Sequence, residues 1–274
     1  MTGSTTVVTS EERDVPPREG PPGRWGRLWG SAAWVREAVL VGAVDELYEV
    51  TRSLAPTRVG KAFANAQAIE RLERALYLNP ERPLNHALVD MPVLIPPISV
   101  YYQVGHLVAL LATLIWAWRR HRDLYRSARN SLLVLTLAGL VGYWMMPTAP
   151  PRFALPGVVD VVAAHPVLLA SQESVVGLVN EYAAMPSLHV AWAVWVALAV
   201  TALSARRARW VAWAHPVATT LVVLATANHY LLDAVAGAVL ALLAWLLAGP
   251  GWPPALAGLG RRPRRVLAGR RPAS

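Results

Sequence analysis

The stretch NHYLLDAVAGAVLALLAWLLAG, residues 228–249, decides the fold. A polar corner, Asn228-His229-Tyr230, opens onto a run, 231–249, that approaches the roughly 20 apolar residues needed to cross a bilayer. Comparable runs lie at about 93–118, 131–146, 187–204 and 210–228. A weaker one at 33–52 is interrupted by Glu37, Asp45, Glu46 and Glu49. The 131–146 run is short: at 1.5 Å rise it covers roughly 24 Å, enough for a thin or locally pinched core. These runs predict an all-α fold, a polytopic membrane helix bundle with about six transmembrane helices. The composition agrees: 274 residues, 55 % hydrophobic, mean hydropathy +0.35. A soluble domain of this size carries more charge and shorter apolar runs.

Cysteine is absent, which excludes disulfides, thiolate metal sites and a cysteine nucleophile. The formal net charge is +9, and Lys61 is the only lysine. A basic balance can signal nucleic acid. Here the arginines cluster beside apolar runs, so membrane lipids are the expected partner and nucleic acid is not. Residues 1–30 read as a disordered tail, 31–250 as the membrane-embedded domain and 251–274 as a basic tail. That last tail, with Arg261, Arg262, Arg264, Arg265, Arg270 and Arg271, either lies against anionic lipid or is simply solvated.

Orientation follows from the short loops. The 119–129 connection holds Arg119, Arg120, Arg122, Arg126 and Arg129, and the 205–209 connection holds Arg206, Arg207 and Arg209. Positive loops stay inside. Both termini are then cytoplasmic, and the 147–186 loop is extracytoplasmic. Between the first two runs, 61–78 reads as an amphipathic helix on the outer surface. Its apolar positions are Ala64, Ala66, Ile69, Leu72 and Leu76, opposite Glu70, Arg71, Glu73 and Arg74.

Three polar segments fall on that outer side: Pro147-Thr148-Ala149-Pro150-Pro151-Arg152, Met185-Pro186-Ser187-Leu188-His189, and Asn228 to Asp233. Ionisable groups beside hydrocarbon are costly and usually functional. His229 and Asp233 are four apart, so on a helix they share one face, where a carboxylate fixes an imidazole tautomer and stabilises its positive form. A structural polar pair is the plain alternative. Pro186 suits the first turn of a helix, leaving the backbone N–H groups of Ser187, Leu188 and His189 as an anion site. Ser187 adds a hydroxyl donor and His189 a group that titrates near neutrality. Arg152 offers a planar fork that matches phosphate oxygens, or else it snorkels to headgroups.

These segments resemble the three motifs of the type 2 phosphatidic acid phosphatase superfamily, nearest its inositol phosphorylceramide synthase-like, inositolphosphotransferase branch. Residues 143–152 (YWMMPTAPPR), 183–189 (AAMPSLH) and 228–233 (NHYLLD) carry the resemblance. Asn65-Ala66 through Glu73, and Tyr101-Tyr102 with His106, are similar more loosely. The resemblance spans roughly 60–250. It implies a lipid phosphate phosphatase or phosphotransferase, with His229 as nucleophile forming a phosphohistidine and Asp233 orienting it. It implies His189 as the acid and base at the leaving and accepting oxygens, and Arg152 and Ser187 as holders of the phosphoryl oxygens. No metal and no cofactor are implied. The implied partners are a phospholipid or polyprenyl-type lipid phosphate and a polyol acceptor such as inositol. The broader superfamily has a lysine seven residues before the first-motif arginine and a proline after it; here these are Met145 and Phe153. It also has an arginine six residues before the nucleophile, here Val223. Arg71, Arg74 and Lys61 are the candidates to replace those charges. A membrane transporter and a non-catalytic scaffold are the competing classes; neither requires His189, His229 and Asp233 together.

Overall fold

The computed structural model describes residues 58–164, 182–204 and 206–250, together with Val35, Val39 and Gly42, which are helical. The two expected tails and most of the weak 33–52 run lie outside these residues. Met1–Glu46 and Leu47–Ser274 are separate compact units, and the helices named below belong to the second. In chain order they are α1 (Val59–Ala75), α2 (Glu81–Val89), α3 (Pro92–Arg120), α4 (Arg122–Met145), the single turns α5 (Pro151–Ala154) and α6 (Val161–Ala164), α7 (Leu188–Leu203), α8 (Arg206–Ala225) and α9 (Leu231–Ala248). Among the described residues there is no strand, only an isolated parallel bridge between Thr148 and Ala183. The fold is all-α.

The expected 119–129 loop is a correction. It shrinks to His121, and Arg122, Arg126 and Arg129 lie on α4. No proline or glycine occurs from Arg122 to Ala138, so nothing stops the helix from starting before the apolar run. The amphipathic helix is also rotated from its expected setting. Its buried residues are Ala62, Ala66, Ile69 and Glu73, while Leu72 and Leu76 are half exposed. The inward face recurs at helical spacing, but an acid closes it. The helix α2 was not anticipated; Pro80 at its N-cap restarts the chain after the Tyr77-Leu78-Asn79 break.

The centre of the bundle is α7, which packs on α3, α4, α8 and α9. Ala191, Ala193, Ala197 and Ala199 are fully buried there, and these small side chains let neighbouring backbones come close. Trp195, also fully buried, donates its indole N–H to Ser131 Oγ at 3.0 Å and to the Ala128 carbonyl at 3.2 Å, which ties α7 to α4.

The outer faces are apolar as well. On α9, Val235, Val239, Leu242, Leu243, Leu246 and Leu247 are all exposed. On α4 the same holds for Val134, Leu137 and Val141, and on α8 for Val217 and Leu221. Such a belt is unfavourable in water and is what a lipid-facing bundle presents. Helices α3 and α9 are long and apolar enough to cross a bilayer, and most of each such stretch is not buried inside the molecule; α7 is equally apolar but shorter. Together these features describe a membrane protein.

Candidate active site

The three polar segments meet at one end of the bundle, and backbone hydrogen bonds stitch them together. The Thr148 N–H donates to the Tyr182 carbonyl at 2.7 Å, and the Ala184 N–H to the Thr148 carbonyl at 3.2 Å. The Arg152 N–H donates to the Ala227 carbonyl at 2.9 Å, and the Ser187 N–H to the Asp233 carbonyl at 3.0 Å. Helix α1 seals the side: Asn65 Nδ2 donates to the Pro147 carbonyl at 2.7 Å and the Ala149 N–H to the Ala62 carbonyl at 3.1 Å. Asn85, fully buried on α2, does the same for α8 and the loop after α5. Its Nδ2 donates to the carbonyls of Ala225 and Val159, and its Oδ1 accepts from the Val159 N–H.

His229 lies in the corner between α8 and α9, not on a helix. The carbonyl of Val223 accepts from the N–H groups of both Asn228 and His229, and Ala227 turns the chain with φ 55°. An alanine in the left-handed region stores strain of about 1–2 kcal/mol, and such strain clusters at functional sites. The His229 side chain is almost fully buried. Its Nδ1 is 2.9 Å from the Ala184 carbonyl. A carbonyl only accepts, so Nδ1 carries the proton and Nε2 keeps its lone pair.

Asp233 approaches the same ring, with Oδ2 3.6 Å from Nδ1. The expected shared helical face needs correcting, because α9 begins only at Leu231. Oδ2 instead accepts the Tyr230 N–H at 2.9 Å, while Oδ1 is buried with no hydrogen-bond partner. The tautomer is therefore fixed by Ala184, and Asp233 is a second neighbour of Nδ1.

His189 opens α7, and its ring centroid lies 5.7 Å from that of His229 at an interplanar angle of 62°. It is stacked on Tyr102 at 4.8 Å and meets His106 edge-on at 4.4 Å. A π-helical turn, Tyr101–Gly105, delivers those two rings from α3. Single π-turns are frequent at functional sites.

Ser187 is the N-cap of α7, which corrects the expectation that Pro186 opens the helix. Its Oγ accepts the Val190 N–H at 3.5 Å and its backbone N–H donates to Asp233, so that N–H is not free as expected, while the hydroxyl proton is not used by either bond. Arg152, on α5, donates NH1 to Asn228 Oδ1 and forms an ion pair from Nε to Asp160 Oδ2 at 3.1 Å. Of the candidate replacement cations, Arg74 pairs with Glu70, while Lys61 and Arg71 are exposed. Met145 is exposed and Val223 is buried, so neither departure from the motif leaves a gap in the fold.

Comparison with known proteins fits this arrangement. A family model of the PAP2 superfamily matches residues 67–247. The chain belongs to the PAP2 superfamily. It is also similar to the phosphoinositol dihydroceramide synthase of Bacteroides thetaiotaomicron, at 28 % identity over 169 residues. That match covers 54 % of this chain, and the chain spans about half (53 %) of the relative. The likeness is on the inositolphosphotransferase side of the superfamily. No solved structure matches.

The PAP2 match begins inside α1, so α1 and α2 belong with the motif helices. The three motifs pass over Glu81, Asn85 and Asp160, whereas Glu73 closes the more loosely similar segment that starts at Asn65. Pro80-Glu81, an acid just after a helix-starting proline, is the one local signal that marks any of them.

Proposed function

We propose that this protein is an integral membrane enzyme that cleaves or transfers the phosphoryl group of a lipid through a phosphohistidine on His229. What carries the proposal is the hydrogen bond from His229 Nδ1 to the Ala184 carbonyl, which leaves Nε2 as a nucleophile 5.7 Å, ring to ring, from a second histidine. Nε2 attacks phosphorus, the bond to the lipid oxygen breaks, and His189 gives that oxygen its proton. His189 then takes the proton of the accepting hydroxyl, whose oxygen attacks phosphorus and frees His229. Phosphorylated at Nε2 and protonated at Nδ1, the ring is cationic, and the Asp233 carboxylate 3.6 Å away stabilises it. Arg152 and the hydroxyl proton of Ser187 hold the phosphoryl oxygens. This chemistry uses no cofactor.

The bundle has six spans with both termini cytoplasmic and the site at the extracytoplasmic face. The substrate is a phospholipid or polyprenyl-type lipid phosphate. The acceptor is water or a polyol, and the name of the Bacteroides relative puts inositol first among polyols. Purified protein given a panel of lipid phosphates, with and without inositol, tests this. The expected outcome is a dephosphorylated lipid, or a phosphoinositol product that appears only with inositol. Phosphoryl movement to neither acceptor would refute the enzyme and leave the transporter or scaffold.

A further inference from the structure

The first turn of α9 is capped by three carboxylates from three parts of the chain. The Tyr230 N–H donates to Asp233 Oδ2 at 2.9 Å, the Leu231 N–H to Glu81 Oε1 at 2.8 Å, and the Leu232 N–H to Glu73 Oε1 at 2.7 Å. Glu81 and Glu73 arrive from α2 and α1, 150 and 159 positions away in sequence. All three side chains are essentially inaccessible to solvent. A helix start has free N–H donors and a partial positive charge, so one or two anions there are favourable. Three buried together exceed what one helix end stabilises, and Glu73 Oε2 and Asp233 Oδ1 have no hydrogen-bond partner at all.

Resting on the phosphohistidine reading, we propose that Glu73 and Glu81 are positioning residues for the reaction, a clamp from α1 and α2 that holds the turn carrying His229. Tyr230 directly follows His229, so fixing the N–H groups of 230–232 fixes the backbone from which the imidazole reaches Ala184. Neither acid touches substrate. They act through His229.

The clamp has a charge state. The titratable groups facing Glu73 are Glu81 from α2 and Asp233 and Tyr230 at the start of α9. On its own helix Glu70 is engaged by Arg74 and by Arg82 of α2. Among the described residues, no cation is among the groups facing it directly. Burial pushes the Glu73 carboxyl up to about 8, and the Glu81 and Asp233 charges add to this; burial raises Glu81 as well. Glu73 therefore works as a neutral acid whose carbonyl-like oxygen accepts the Leu232 N–H. Because its pKa is raised in the fold, the stability it contributes is fully present below the ordinary carboxylate range and is lost as pH rises through about 8. Ionisation there sets a third negative charge against Asp233 and Glu81 and loosens the clamp.

The test uses full-length protein in detergent and two readouts, hydrogen exchange of the peptide covering 228–233 and the pH profile of lipid phosphate turnover. In the wild type, protection of the 230–232 amides and kcat should fall together as pH passes about 8. Glu73→Gln keeps the accepting oxygen and cannot ionise, so it should remove that alkaline fall in both readouts and retain most of the activity below it. Glu73→Ala should lower kcat roughly tenfold or more at every pH while KM changes little, since even a small misplacement of a reacting group commonly costs that much. Glu81→Ala, which does not depend on Glu73→Ala folding, should expose the Leu231 amide. If Glu73→Gln keeps the wild-type alkaline limb, the clamp is wrong. If protection responds as expected while kcat does not, the acids are structural and the positioning role is wrong. If the wild type turns over no lipid phosphate while protection responds, the enzyme reading has failed and the positioning role fails with it.

Discussion

Arg152 is held from two sides, by Asn228 next to the proposed nucleophile and by Asp160 at 3.1 Å, with its guanidinium over the Phe153 ring. A fork set this way keeps a fixed plane toward the corner, which suits a trigonal set of phosphoryl oxygens. Lysine keeps the charge but cannot make the paired contacts. Arg152→Lys should therefore lower kcat/KM by about tenfold to a hundredfold, the usual worth of one or two hydrogen bonds to a charged group, with little change in thermal stability. Kinetics beside a melting curve check this; a large fall in melting temperature with kcat/KM unchanged would make Arg152 a structural strut. At this scale the sequence was legible for residue type and not for partner. His189, His229 and Asp233 are named by their motifs. That the Ala184 carbonyl, and not Asp233, makes the close hydrogen bond to His229 could not be read, because backbone acceptors have no sequence signature.

The packing of α9 against the start of α7 brings the two histidines together. Gly237 lies where a Cβ would collide with the Ser187 carbonyl oxygen, which is backbone and belongs to the N-cap residue of α7. At Gly139 on α4 the nearest atom to a Cβ, at 2.5 Å, is the far end of the Leu188 side chain, which can swing away. Gly237→Ala should therefore cost about 1–3 kcal/mol and most of the activity, and Gly139→Ala clearly less. Melting temperatures and turnover of the two variants decide it, and equal losses would contradict the close-approach argument. Element identity was legible wherever apolar runs were long: α3, α7, α8 and α9 lie within a few residues of expectation. Two things were not. The arginines at the start of α4 resemble a loop by charge, yet helix propensity carries the chain through them. The rotation of α1 was hidden because Glu73 faces inward, and only the partner N–H groups of α9 make that burial tolerable.

In the whole molecule, every group given a chemical role sits at one end of the bundle. The α7 and α9 N-termini meet there with the chain that leaves α4. The proposed orientation makes that end extracytoplasmic. In a chain without native cysteine, Val159→Cys in the exposed loop after α5 and Ala208→Cys at the exposed start of α8 test it. An impermeant thiol reagent on intact cells should label the first and not the second, and the reverse pattern would invert the topology. Of the six proposed spans, the first lies mostly outside the described residues, and among those α3 and α9 are long and apolar enough to cross a bilayer. The arrangement of the three motifs is fixed by backbone and side-chain hydrogen bonds between segments up to 76 positions apart, which no local pattern encodes. The central claim is that a phosphoryl group passes through His229, and trapping the intermediate tests it most directly. Protein is quenched after brief exposure to a radiolabelled phosphate donor whose leaving group needs no protonation, such as p-nitrophenol. Acid-labile, base-stable label should appear on the wild type. It should persist longer on His189→Ala, which lacks the base for the second step, and be absent from His229→Ala. Label retained by His229→Ala and missing from His189→Ala would contradict the account.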